Sequence, residues 1–133
     1  MVGDRVEIGE RTTVVALPGA HVVIGDDVFI SGSCIIAAAD LVEIGSESML
    51  AEMVCVRDHD HDPDFPPRSG ALLVEPLRIG ARVWLASKAS VVRGGQVEDD
   101  AVIGAHALVN RVVPAGSVAV GVPARVVRRL ARG

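Results

Sequence analysis

Ile79-Gly80-Ala81-Arg82-Val83-Trp84 is followed at once by Leu85-Ala86-Ser87-Lys88-Ala89-Ser90, and both stretches obey one six-residue pattern. The frame continues through residues 91–96, 97–102, 103–108 and 109–114. An aliphatic residue opens each hexad, at 79, 85, 91, 97, 103 and 109. A small or acidic residue usually follows it, and a small or β-branched residue sits fifth. Upstream, the hexads opened by Val2, Ile8, Ile24, Ile44 and Leu50 fit the same frame, with irregular spacing from 8 to 24 and from 24 to 44.

A period of six suits neither an α-helix nor a long flat strand. It suits a coil of short strands joined by tight corners, three hexads to a turn. The opening aliphatic points inward and stacks on its equivalent one coil away. Glycine or another small residue beside it is expected to turn the chain, because glycine accepts positive φ. Such a solenoid buries a continuous aliphatic column. Composition agrees with thin layers: half of the residues are hydrophobic but only 2% are aromatic.

The fold class predicted is all-β, one domain over residues 1–133. A loop of about 57–76 protrudes from it. Gly121-Val122-Pro123-Ala124-Arg125-Val126-Val127-Arg128-Arg129-Leu130 reads as a short C-terminal α-helix, over about 123–131. Pro123 suits a first helical turn, and Val126, Val127 and Leu130 form an apolar stripe.

The net charge of −4 and the scarcity of aromatics argue against nucleic-acid binding, which uses basic patches and stacking platforms. No run of 18 apolar residues exists to span a membrane, and Met1-Val2-Gly3-Asp4-Arg5 has no apolar leader core, so the expectation is a cytoplasmic protein. Cys34 and Cys55 are too few for a disulfide framework and read as small wall residues.

Regularity fails after Val56. Residues 57–70, Arg57-Asp58-His59-Asp60-His61-Asp62-Pro63-Asp64-Phe65-Pro66-Pro67-Arg68-Ser69-Gly70, are polar, rich in proline, and hold two of the four histidines. A long excursion from a rigid scaffold that concentrates ionisable groups is a functional candidate. Histidine is the usual proton-transfer side chain near neutral pH.

The hexads, the Asp58-His59-Asp60-His61 run, residues 76–87 with Trp84, and residues 110–125 together resemble the hexapeptide-repeat acyltransferase family. The likeness lies with its sugar and natural-product O-acetyltransferases. That resemblance implies a left-handed parallel β-helix, a hand that general chain physics does not favour. It implies a homotrimer with sites between subunits, acetyl-CoA as co-substrate, and direct transfer to a hydroxyl of a sugar or sugar-bearing small molecule. It also implies a histidine general base. Counting from the last coil aliphatic, Val56, selects His61, matched by Asp58; His59 is the alternative. Trp84 and the backbone N–H groups of Ser87 and Ala105 are expected to hold acetyl-CoA, with Arg111, Arg125 and Arg128 on its phosphates. Ser31 stands where relatives carry an acceptor-binding Asn. No metal is expected.

Three positions depart from the family pattern. Val91-Val92-Arg93-Gly94-Gly95-Gln96 lacks the usual proline, and Ala86 and His106 stand where glycine is common. Two rival readings share the coil: a non-catalytic assembly module, and a zinc hydratase of the gamma carbonic anhydrase type. Against the second, His21, His59, His61 and His106 contain no pair at the H-x4-H spacing of that family.

Overall fold

The computed structural model describes residues 1–131; the last two positions of the predicted domain lie outside them. The chain winds into a left-handed parallel β-helix of about six turns. Each turn contributes one short strand to each of three faces. The first face stacks His21–Ile24, Leu41–Ile44, Leu77–Ile79, Gln96–Val97 and Val112–Val113. The second stacks Glu7–Ile8, Phe29–Ile30, Met49–Leu50, Trp84–Leu85, Val102–Ile103 and Ser117–Val120. The third stacks Thr13–Ala16, Ile35–Ala38, Cys55–Arg57, Ser90–Val91 and Leu108–Val109. The corner after each face takes that face's number.

The aliphatics that open the hexads form the core together with the small and β-branched residues at the fifth position, such as Val83, Ala89, Ala101 and Ala107. Ile79, Leu85, Val91, Val97, Ile103 and Val109 are each no more than 2% exposed. On the first face, Ile24, Ile44, Ile79, Val97 and Val113 lie in register from coil to coil. Burying each Ile or Leu stabilises the fold by about 1.5–3 kcal/mol relative to exposure. Val113 turns inward only four residues after Val109, so the last hexad is cut short at the third corner. Val2 and Ile8 fit the frame but remain 55% and 44% exposed, because the first coil has a neighbour on one side only.

The corners turn differently from the sequence-based expectation. Among the described residues, every non-glycine residue with positive φ stands at the fourth hexad position: Arg5, Arg11, Asp27, Ser33, Glu47, Met53, Arg82, Lys88, Asp100 and His106, all between 54° and 65°. The second-position glycines serve close approach instead. A Cβ on Gly80 would sit 2.7 Å from the backbone nitrogen of Asp99 in the next coil, and one on Gly9 would sit 2.7 Å from that of Gly32.

The C-terminal segment is not a helix. Arg125–Arg129 is a strand that pairs antiparallel with Ser117–Val120, with a register shift between Val118 and Ala119. The last strand of the second face offers unpaired backbone groups along its free edge. A β-branched segment satisfies them better than a single short helix, which is marginal without packing. The segment therefore covers the end of the coil, as expected, but as a strand.

Candidate active site

The excursion leaves the coil at the third corner. Val56 points inward and Arg57 outward, and Asp58 then turns under the corner and is fully buried. Its carboxylate accepts the backbone N–H groups of Ala39 and Asp40 at 2.8 Å and of Leu41 at 2.9 Å. These three residues form the third corner of the coil below. The fourth partner is His59, whose Nδ1 lies 2.9 Å from Asp58 Oδ1. Burial by itself raises the Asp58 pKa. The N–H groups of Ala39, Asp40 and Leu41, together with His59, outweigh it and hold the carboxyl below its ordinary value.

With the carboxylate ionised, Nδ1 carries the proton it donates to Asp58. Nε2 is then the free acceptor. The His59 side chain is only 17% exposed. The His61 side chain is exposed and makes no hydrogen bond or ion pair among the described residues. Two residues apart on one strand, His59 and His61 point to the same side.

The loop is an ordered hairpin. His59–His61 pairs antiparallel with Leu72–Val74, His61 opposite Leu72 and His59 opposite Val74. Its tip holds a 3-10 turn, Pro67–Ser69, ended by Gly70 at φ 85°. Arg93 fastens the hairpin to the coil: Nε lies 3.0 Å from Asp60 Oδ2 and a terminal nitrogen 3.6 Å from Glu75 Oε1. A cavity of about 450 Å³ opens beside it, lined by Leu17, Arg57, His59, Asp60, His61, Gly70 and Leu72. Arg57 and Arg93 were not among the expected site residues. The signal for Arg93 was an arginine where proline is usual, at the corner that faces an acidic loop.

The remaining candidates stand elsewhere on the coil. Trp84 lies half-exposed on the outer side of the second face, in register with Met49 and Val102. Ser87 and Ala105 occupy the second corner in successive coils, and the Ser87 carbonyl accepts the His106 N–H at 3.0 Å. Among the described residues the N–H groups of Ser87 and Ala105 have no acceptor. The Ser87 hydroxyl is held by Glu52. Ser31 is at the second corner two coils below Ser87, its carbonyl accepting the Thr12 hydroxyl at 2.7 Å. Arg111 is exposed at the third corner, and Arg125 and Arg128 are exposed on the terminal strand.

One chain thus brings Asp58, His59 and His61 together, and separately Trp84, Ser87 and Ala105. The third face lies between the two groups. Its longer strands have four residues, about 13 Å at strand rise. Among the described residues no three His, Cys, Asp or Glu side chains converge on a point that would hold a metal ion.

No family model matches the chain. A probable acetyltransferase of Mycobacterium tuberculosis is 34% identical over 130 residues, which cover 96% of this chain and 43% of that protein. The structure of a maltose O-acetyltransferase from Clostridium difficile 630 superposes with a TM-score of 0.83 at 29% identity, over 97% of this chain and 68% of the other. A galactoside acetyltransferase in complex with coenzyme A superposes with a TM-score of 0.75 at 25% identity, over 96% and 66% of the two chains. The chain spans about half the length of the curated relatives it matches. Matched in sequence along almost its whole length and sharing the coiled fold, the chain belongs to the hexapeptide-repeat acetyltransferases.

Proposed function

We propose that the protein transfers the acetyl group of acetyl-CoA to a hydroxyl of a sugar or sugar-bearing small molecule, with His59 as general base. The observation that carries this reading is the buried Asp58 carboxylate on His59 Nδ1, which leaves Nε2 free beside a cavity. Nε2 takes the proton of the acceptor hydroxyl. The oxygen attacks the thioester carbonyl, whose developing oxyanion is met by backbone N–H donors. The carbon–sulfur bond then breaks, and the departing thiolate receives the proton from His59. Asp58 fixes the tautomer and stabilises the imidazolium, so it is a positioning residue.

The order of the two histidines expected from sequence is reversed in this proposal. His61 lines the same cavity but lacks a carboxylate behind it, so it serves acceptor binding.

Acetyl-CoA is proposed to lie along the second corner, on the N–H groups of Ser87 and Ala105 beside Trp84, with Arg111, Arg125 and Arg128 as candidates for its phosphates. The separation of that corner from His59 supports a homotrimer in which the second corner of one copy faces the hairpin of the next. A cytoplasmic location fits acetyl-CoA supply and two free thiols.

Release of free CoA thiol, measured over a panel of sugars, tests the reading. His59→Ala is expected to lower kcat by about 10²–10⁴, and His61→Ala by less than about tenfold and chiefly through KM. The opposite ranking would return the base to His61. Full activity in both variants would remove general-base catalysis, and no saturable acetyl-CoA binding would favour the assembly-module reading.

A further inference from the structure

The cavity beside His59 holds a cation, the Arg57 side chain, with no partner among the described residues. Arg57 sits in register with Ala37 on the outer side of the third face and is half-buried. Four other arginines on the coil meet carboxylates closely: Arg5 with Asp27 at 2.7 Å, Arg78 with Glu43 at 3.1 Å, Arg82 with Asp100 at 2.8 Å and Arg93 with Asp60 at 3.0 Å. The Arg57 side chain has no hydrogen bond or ion pair among the described residues. The one acid of the cavity lining, Asp60, is engaged by Arg93. A chain of net charge −4 therefore presents a cavity wall of Arg57, His59 and His61.

A half-buried guanidinium without a counterion loses hydration and gains nothing in return. A bound anion would offset that loss, and the planar fork matches a carboxylate or phosphate with two parallel hydrogen bonds. Leu17 and Leu72 supply an apolar part of the wall against which a sugar ring can lie. The volume, about 450 Å³, is in the range of small-ligand sites.

We propose that Arg57 holds an anionic group, a carboxylate or a phosphate ester, of the molecule whose hydroxyl enters this cavity. The placement of that hydroxyl at His59 rests on the acetyltransferase reading; the anion contact does not. Arg57 thus determines specificity: it selects charged over neutral sugars.

Calorimetric titration of the chain with glucose, glucuronate and glucose 6-phosphate tests it, alongside CoA release from acetyl-CoA with the same three probes. At least one charged probe is expected to bind about 10- to 100-fold more tightly than glucose. Arg57→Gln removes most of that preference, Arg57→Lys retains part of it, and Arg68→Gln at the hairpin tip leaves it in place. Which charged probe wins separates carboxylate from phosphate. Equal binding of all three, or a preference that survives in Arg57→Gln, overturns the proposal. Arg57-dependent binding without acetyl transfer to any probe upholds the anion site and counts against the transferase reading instead.

Discussion

Asp58 is the residue on which the third corner is organised. One buried carboxylate gathers three backbone N–H groups and His59, so it ties coil, hairpin and His59 together. Asp58→Asn is expected to cost about 2 kcal/mol at pH 7, because an amide cannot accept from all four donors. It is also expected to lower kcat by about tenfold or more, by releasing the His59 tautomer. The pH dependence has a definite sign. The folded pKa lies below the ordinary 3.8, so the stabilisation is full above that value and is lost as pH falls through the folded pKa. Thermal unfolding between pH 7 and pH 3 should show the gap between the wild type and Asp58→Asn narrowing at the acid end. A gap independent of pH would mean that the carboxylate charge is not what matters. The sequence made the Asp-His-Asp-His run visible as chemistry. Which histidine receives the carboxylate was not legible there, because it depends on the inward turn of Asp58 beneath a corner contributed by residues 39–41.

At the scale of elements, the hairpin is held at both of its strands. Arg93 reaches Asp60 at its start and Glu75 just past its end, and the Glu75 N–H donates to the Asp58 carbonyl at 2.9 Å. Arg93→Ala is expected to raise the rate of tryptic cleavage at Arg68 several-fold while the thermal midpoint of the coil moves by only a few degrees, since exposed ion pairs contribute little to global stability. An unchanged cleavage rate would mean that the strand pairing alone holds the hairpin. Residues of about 57–76 read in the sequence as an excursion without strands, because charged residues are depleted from strands and gave no such signal. The C-terminal segment failed for the opposite reason. Its apolar spacing suits a helix, and only the free edge of Ser117–Val120, brought there by the winding of the coil, makes a strand the better solution.

For the whole molecule, the separation of the His59 cavity from the second corner predicts function between copies. The chain is expected to sediment as three copies of 13.8 kDa. Refolding an equal mixture of His59→Ala and Ala105→Trp chains is expected to recover about one quarter of wild-type activity, because random mixing gives a quarter of the interfaces both intact halves. Sites complete within one chain would recover nothing. The six-residue period by itself determined the coil, its opening core columns and the place where it is interrupted, because a repeat that buries the same positions of every hexad leaves few other ways to pack. The tertiary structure decided what lies across from what. Glycine beneath the next coil's backbone, Asp58 under residues 39–41 and Arg93 on the hairpin depend on neighbours about 17–35 residues distant in the chain, and the cavity around Arg57 joins residues as far apart as Leu17 and Leu72. A local pattern carries the period of such a chain, but the contacts between coils arise only once it has wound.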